Sequence, residues 1–264
     1  MSIQSLARRT FTLALIVAAS LCTGRSATAA SAPAGAPGFT YVIVHGAWGG
    51  GWAFREVERR LRADGHTVYR PTLTGQGERS HLANPDIDLS LHIQDVVNVI
   101  LWEDLHEVVL VGHSYGGMVI TGVADRVPDR IRRVIYLDAF LPENGESADS
   151  IRGHTGIDLP VKDGFIIPPW IKGSEPLPHD VPQPAKTFSE PIVLKNQAVA
   201  GRLPATYILT VDRGKPPEQD AFFNFYGRAK ARGWTTLIME GDHNVQWSHP
   251  KELVDLLESA PLAR

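Results

Sequence analysis

The chain has 264 residues, 43% of them hydrophobic and 21% charged, with 24 Gly and 19 Pro, a composition that excludes collagen-like and disordered classes. Its 26 Lys+Arg against 29 Asp+Glu give a formal charge of −3, with no basic run to neutralise phosphates, so nucleic acid is not an expected partner. Beyond the N-terminus no stretch reaches the roughly 20 apolar residues of a membrane span, so no integral span is expected in the mature protein.

Arg8 and Arg9 precede an apolar run from Phe11 to Leu21, and small residues follow it up to Ala29 and Ala30. A positive start, a short apolar core and an A-x-A-like end read as a signal peptide over residues 1–30. Residues 8–13 (RRTFTL) also resemble a twin-arginine signal. The expectation is export, to the periplasm or the medium; a general secretion signal and an uncleaved N-terminal anchor are the alternatives. Cleavage removes Cys22, the single cysteine, and Arg8, Arg9 and Arg25 but no acid, which moves the formal charge from −3 to −6. The mature chain then has no disulfide to form, and a cysteine nucleophile or cysteine-based metal site is excluded. Residues 31–38, rich in Ala, Pro and Gly, read as a flexible lead-in. The expected domain, 39–264, is long enough to bury a core unaided.

Residues 39–44 (FTYVIV) form a short, β-branched and aromatic run that stops at His45-Gly46 and reads as a buried strand. Phe54, Val57 and Leu61 then fall at helical spacing, and Asp64-Gly65 closes that helix. Residues 66–69 make a second strand and 71–89 a polar loop. Ile93, Val96, Val97 and Ile100 define an amphipathic helix, and residues 108–111 a buried strand that runs into Gly112 and a helix ending near Arg126. Further apolar strands are expected at 134–137, 207–209 and 235–239, with a last helix carrying Leu253, Leu256 and Leu257. Strand and helix in alternation imply a mostly parallel sheet covered on both faces.

The stretch from Pro142 to Pro204 breaks this rhythm with ten prolines and little periodicity. Proline at that density forbids long helices, and long irregular insertions in compact domains are usually functional. A cap over an active site is the expectation for about 142–204.

Gly112-His113-Ser114-Tyr115-Gly116 is G-x-S-x-G between a buried strand and a helix, the setting in which that pattern marks a serine nucleophile. The hydroxyl needs a base, itself oriented by a carboxylate, and in this architecture the chain order is Ser, acid, His. His243, directly after the last strand, fits the base; His249, before Pro250, and His113, adjacent to the nucleophile, fit packing or capping roles. The acid is expected after the penultimate strand, at Asp212, with Asp138 at the end of strand 134–137 as the alternative. Two amide N–H groups must receive the oxyanion: that of Tyr115, after the nucleophile, and that of Ala47, in the loop after the first strand. Trp48, Phe165 and Trp170 are candidates for an apolar pocket. No dinucleotide fingerprint and no metal-ligand spacing appears, so neither a cofactor nor a metal is expected.

The chain resembles the α/β-hydrolase fold, and within it the branch of the hydroxynitrile lyases and plant methylesterases with their bacterial esterase relatives. The resemblance rests on His45-Gly46-Ala47 with Gly50-Gly51-Trp52, on residues 74–81 (TGQGERSH), on 112–117 (GHSYGG), on 137–142 (LDAFLP) and on Gly241-Asp242-His243. It implies a six-stranded sheet and a triad of Ser114, Asp212 and His243, with Ala47 and Tyr115 donating to the oxyanion. Lyase members carry a Thr after the first-strand His and a Lys after the catalytic His, where this chain has Gly46 and Asn244. Both departures favour a serine esterase acting on a small-molecule carboxylic ester through an acyl-enzyme. The alternatives are a hydroxynitrile-lyase-like C–C lyase, a cofactor-free perhydrolase and a non-catalytic ligand-binding homologue.

Overall fold

Strand β1 (Thr40–Val44) shows how the sequence pattern becomes a layer. Its side chains alternate between the two faces of a sheet: Val42 and Val44 enter one apolar cluster, Tyr41 and Ile43 the other. The structure, a computed structural model, describes residues 38–153 and 159–260, so the expected signal peptide, Cys22 and nearly all of the lead-in lie outside the described residues.

The main sheet joins β1 to β2 (Thr67–Tyr69), β3 (Val108–His113), β4 (Ile131–Leu137), β8 (Ala205–Val211) and β9 (Thr235–Glu240), in the order β2-β1-β3-β4-β8-β9. Every pairing in it is parallel, and the sheet is the six-stranded one expected. Helices α2 (Leu89–Trp102) and α3 (Gly116–Arg126) cover one face, with Ile93, Val96, Val97 and Ile100 of α2 in the core. The other face receives Val57 and Leu61 of α1 (Arg55–Ala63) and Leu253 and Leu257 of the helix Pro250–Ser259. All four of these last side chains are fully buried, worth about 1.5–3 kcal/mol each relative to exposure.

Several strands outrun their apolar signal. β3 continues through Gly112 to His113, and β4 begins at Ile131 with Arg132 and Arg133 inside it. Polar side chains hide a strand from a hydrophobicity reading although the parallel ladder holds their backbone.

Among its described residues the proline-rich stretch 142–204 forms no long helix. It holds a three-stranded antiparallel sheet, β5 (Val161–Lys162), β6 (Phe165–Ile166) and β7 (Gln183–Pro184), and short helices at Ala148–Ile151, Lys186–Ser189 and Gln197–Ala200. Ser147 caps the first of these in a reciprocal box with Ser150.

Candidate active site

In parallel sheets ligands collect at the carboxyl ends of the strands, and here a cavity of about 600 Å³ lies where β1, β3 and β4 end. Three non-glycine residues on its wall have left-handed backbones: Trp48 (φ +63°), Ser114 (φ +54°) and Asp138 (φ +43°). Each follows one of those strands, and such strain persists only where the surroundings over-determine it.

At Ser114 the cause is the tight passage from β3 into α3. A Cβ on Gly112 would lie 2.7 Å from the Gly116 carbonyl oxygen, and one on Gly116 would lie 2.7 Å from that of Val44. Both glycines are therefore steric requirements of the turn. The Ser114 N–H donates to the Leu137 carbonyl at 3.3 Å, and the Ser114 carbonyl accepts from Phe140 N–H at 3.1 Å. The nucleophile candidate is thus pinned to the end of β4.

His243 follows β9 and reaches the same cavity. Its Nδ1 lies 2.6 Å from Oδ2 of Asp138, whose side chain is 2% exposed. The other oxygen of that carboxylate, Oδ1, accepts the Thr210 N–H at 3.1 Å. The expected acid, Asp212, is not there. It stands exposed one residue beyond β8, outside the cavity wall. The physical reason is the bend after β4: the left-handed Asp138, with its N–H on the Ile208 carbonyl at 2.7 Å, turns its side chain toward β8 and the histidine loop. Tyr207, fully buried on β8, locks that bend from below. Its hydroxyl accepts from the Ala139 N–H at 3.1 Å and donates to the Ala139 carbonyl at 2.7 Å.

His113 packs beneath, as expected for the residue beside Ser114. Its Nε2–H donates to the His243 carbonyl at 2.7 Å, and the two rings are 4.6 Å apart. Burial pushes its pKa well below the ordinary histidine value, and the neighbouring His243 adds to this, so it is a neutral tether. His45 braces its own loop: Nδ1–H donates to the Gly46 carbonyl at 2.7 Å and Nε2 accepts the Leu73 N–H at 3.1 Å. Burial lowers its pKa to about 4. His92 joins the Tyr115 hydroxyl at 3.0 Å to the Thr74 carbonyl at 2.9 Å, and burial lowers it to about 4 as well. His249 stands before the helix Pro250–Ser259, with Nδ1 against the Ser248 hydroxyl.

Ala47 and Tyr115 both line the cavity. Among the described residues, neither backbone N–H has a hydrogen-bond acceptor, as a pair of amides kept for an oxyanion would require. Gly46 leaves the approach open, because a Cβ there would sit 3.0 Å from that of Ser114. Asn244 also lines the cavity.

Of the three expected pocket residues, Trp48 and Trp170 lie on the wall, in edge-to-face contact at 5.3 Å. Phe165 does not. It belongs to β6, opposite Lys162 and Pro184. The aromatic wall is completed by residues not among the expected pocket candidates: Phe140, Phe188, and Phe222, which stacks on the His243 ring at 5.0 Å. Phe140 follows a buried strand by three residues, a position that could have marked it; Phe222 gives no local signal. At the margin Trp247 stacks face to face on Trp52, 5.7 Å apart and 9° from parallel.

Residues 41–256 match the Alpha/beta hydrolase family. The chain belongs to that family. It is 37% identical over 241 residues to a carbendazim hydrolyzing esterase of Nocardioides sp. (strain SG-4G), covering 82% of this chain and 97% of the esterase. Methylesterase 1 of Arabidopsis thaliana is 29% identical over 122 residues, 46% of each chain. Among solved structures, an extracellular alpha/beta-hydrolase from a Paenibacillus species, described as sharing structural and functional homology with tobacco salicylic acid binding protein 2, superposes with a TM-score of 0.67 at 26% identity, covering 84% of this chain and 98% of that one. This hydrolase is thus similar to members of the methylesterase-like branch that its motifs resemble.

Proposed function

We propose that this hydrolase is a serine esterase in which Ser114 is the nucleophile, His243 the base and Asp138, in place of the expected Asp212, the acid. The observation that carries the reading is the buried Asp138 carboxylate 2.6 Å from His243 Nδ1, at a cavity that the strained Ser114 also lines. The esterase relative, matched over nearly its whole length, supports the reaction class.

With Nδ1 held by Asp138, the opposite nitrogen, Nε2, takes the Ser114 proton as Oγ bonds to the ester carbonyl carbon. The carbonyl oxygen becomes an oxyanion on the Ala47 and Tyr115 amides, beside the N-terminal end of α3. Collapse breaks the bond to the alkoxy oxygen, which leaves as the alcohol with the proton from Nε2. Water, deprotonated by Nε2, then attacks the acyl carbon and releases the acid and free Ser114. Asp138 stabilises the imidazolium in both halves. The carbonyl-accepting site beside Gly46, and Asn244 where lyase members carry Lys, favour this reaction over cyanohydrin cleavage.

The names of the relatives direct the first substrates to methyl esters and methyl carbamates of planar aromatic groups, which suit the aromatic wall. The test is an ester panel on the purified protein, varying acyl and alcohol parts separately. Turnover that disappears in Ser114→Ala with an unchanged circular dichroism spectrum supports the assignment. A flat response to every ester by folded protein defeats it.

Export is part of the same proposal and rests on Arg8, Arg9 and the apolar run after them. N-terminal sequencing of protein from the extracytoplasmic fraction is expected to start near Ser31. Intact chain confined to the cytoplasm would refute it.

A further inference from the structure

The peptide that presents the Ala47 N–H is fixed from two directions. Its carbonyl, on Gly46, is held by His45 Nδ1–H at 2.7 Å. The following peptides are held by a segment more than 130 residues away in sequence. The Trp48 N–H donates to Oε1 of Gln183 at 2.9 Å, and the Trp48 carbonyl accepts the Val181 N–H at 2.8 Å. Trp48 has φ +63°, a conformation that a bulky aromatic residue rarely adopts unaided.

The Gln183 side chain is fully engaged. It lies in β7, is fully buried, and uses both ends of its amide. Nε2 donates to the Thr187 hydroxyl at 2.9 Å, and that hydroxyl donates to the Pro184 carbonyl at 2.6 Å. With its proton committed to Pro184, the hydroxyl can only accept from Gln183, so the acceptor end of the amide is the one that faces Trp48. The same segment grips the Trp48 side chain, through Trp170 at 5.3 Å and Phe188 at 6.0 Å.

We propose that Gln183 is a positioning residue for the oxyanion site: by holding Trp48 left-handed it aims the Ala47 amide at the carbonyl oxygen of the substrate. This rests on the reading of Ala47 as an oxyanion donor. It makes the proline-rich excursion part of the catalytic geometry as well as a wall of the pocket. Gln183 itself touches no reacting atom, and its effect passes through Trp48 to Ala47.

The experiment compares Gln183→Met, which keeps length and burial but removes the acceptor, with Val181→Pro, which removes the second clamp at a partly exposed position. Both are assayed on p-nitrophenyl acetate, and their inhibition by phenylboronic acid, whose tetrahedral adduct mimics the oxyanion, is measured alongside. Misaiming one donor is expected to lower kcat about ten- to a hundredfold in Gln183→Met, somewhat less than outright loss of a donor, with KM within about threefold. Boronate affinity is expected to fall in parallel, and Val181→Pro to show the same pattern more weakly. Folded variants with parental kcat and boronate affinity, or with KM raised and kcat unchanged, would overturn the proposal. Should Gln183→Met not fold, Val181→Pro decides on the same criteria. An inactive parent enzyme would instead count against the esterase reading, a separate outcome.

Discussion

The carboxylate of Asp138, at the end of β4, and the imidazole of His243, after β9, meet at 2.6 Å across 105 residues of sequence. Asp212, one residue beyond β8, faces solvent. Asp138→Asn leaves the size of the side chain intact but removes the charge that stabilises the imidazolium, and is expected to lower kcat about 10³–10⁴-fold. Asp212→Asn is expected to stay within about twofold of the parent. Steady-state ester hydrolysis by the two variants checks this, and the reverse ranking would return the acid to the end of β8.

Ser114 combines a left-handed backbone with the hydroxyl proposed as the nucleophile. A left-handed non-glycine residue costs roughly 1–2 kcal/mol, so Ser114→Gly is expected to abolish turnover while raising Tm by a few degrees. Differential scanning calorimetry beside the ester assay reads both. A lowered Tm would show that the turn is unstrained.

Tyr207→Phe removes the hydroxyl that serves both the N–H and the carbonyl of Ala139. Two buried backbone groups lose their partner, at about 1–3 kcal/mol each. Urea denaturation is expected to show a loss of about 2–4 kcal/mol, accompanied by a fall in kcat because the Asp138 bend loosens. Loss of stability without any change in kcat would limit Tyr207 to a packing role.

His45 and His92 stay neutral in the fold, with burial holding each at about 4, whereas in the unfolded chain they titrate near 6.5. Between those values the unfolded state binds protons that the native state refuses. The stability they allow is therefore complete above pH 6.5 and is lost as the pH falls toward 4, by roughly 3 kcal/mol for each group. The urea midpoint is expected to drop over that window, and His92→Gln to flatten the slope. A midpoint independent of pH between 6.5 and 4 would refute the assignment of these two rings.

The layered sheet was readable because apolar runs such as TYVIV and VVLV are local, and so was the meeting of Ser114 and His243 at one cavity, each set by a strand directly before it. The acid was not. Asp138 and Asp212 both follow apolar strands, β4 and β8, that lie side by side in the sheet. Which one reaches His243 depends on the backbone turn at Asp138 and on the Tyr207 hydroxyl beneath it, and these are products of packing. The pocket wall was harder still. Proline removes periodicity from 142–204, so nothing in that stretch distinguishes Phe188, on the cavity, from Phe165, in the small sheet.

Trp52, just after the first strand, and Trp247, four residues beyond His243, stack nearly parallel at 5.7 Å. Parallel indoles at that separation couple their electronic transitions, so the polypeptide carries an optical gauge that needs no label. Its far-ultraviolet exciton dichroism should weaken when the segment bearing His243 swings away from the first strand. Detachment of the His243 segment can thus be timed separately from melting of the sheet.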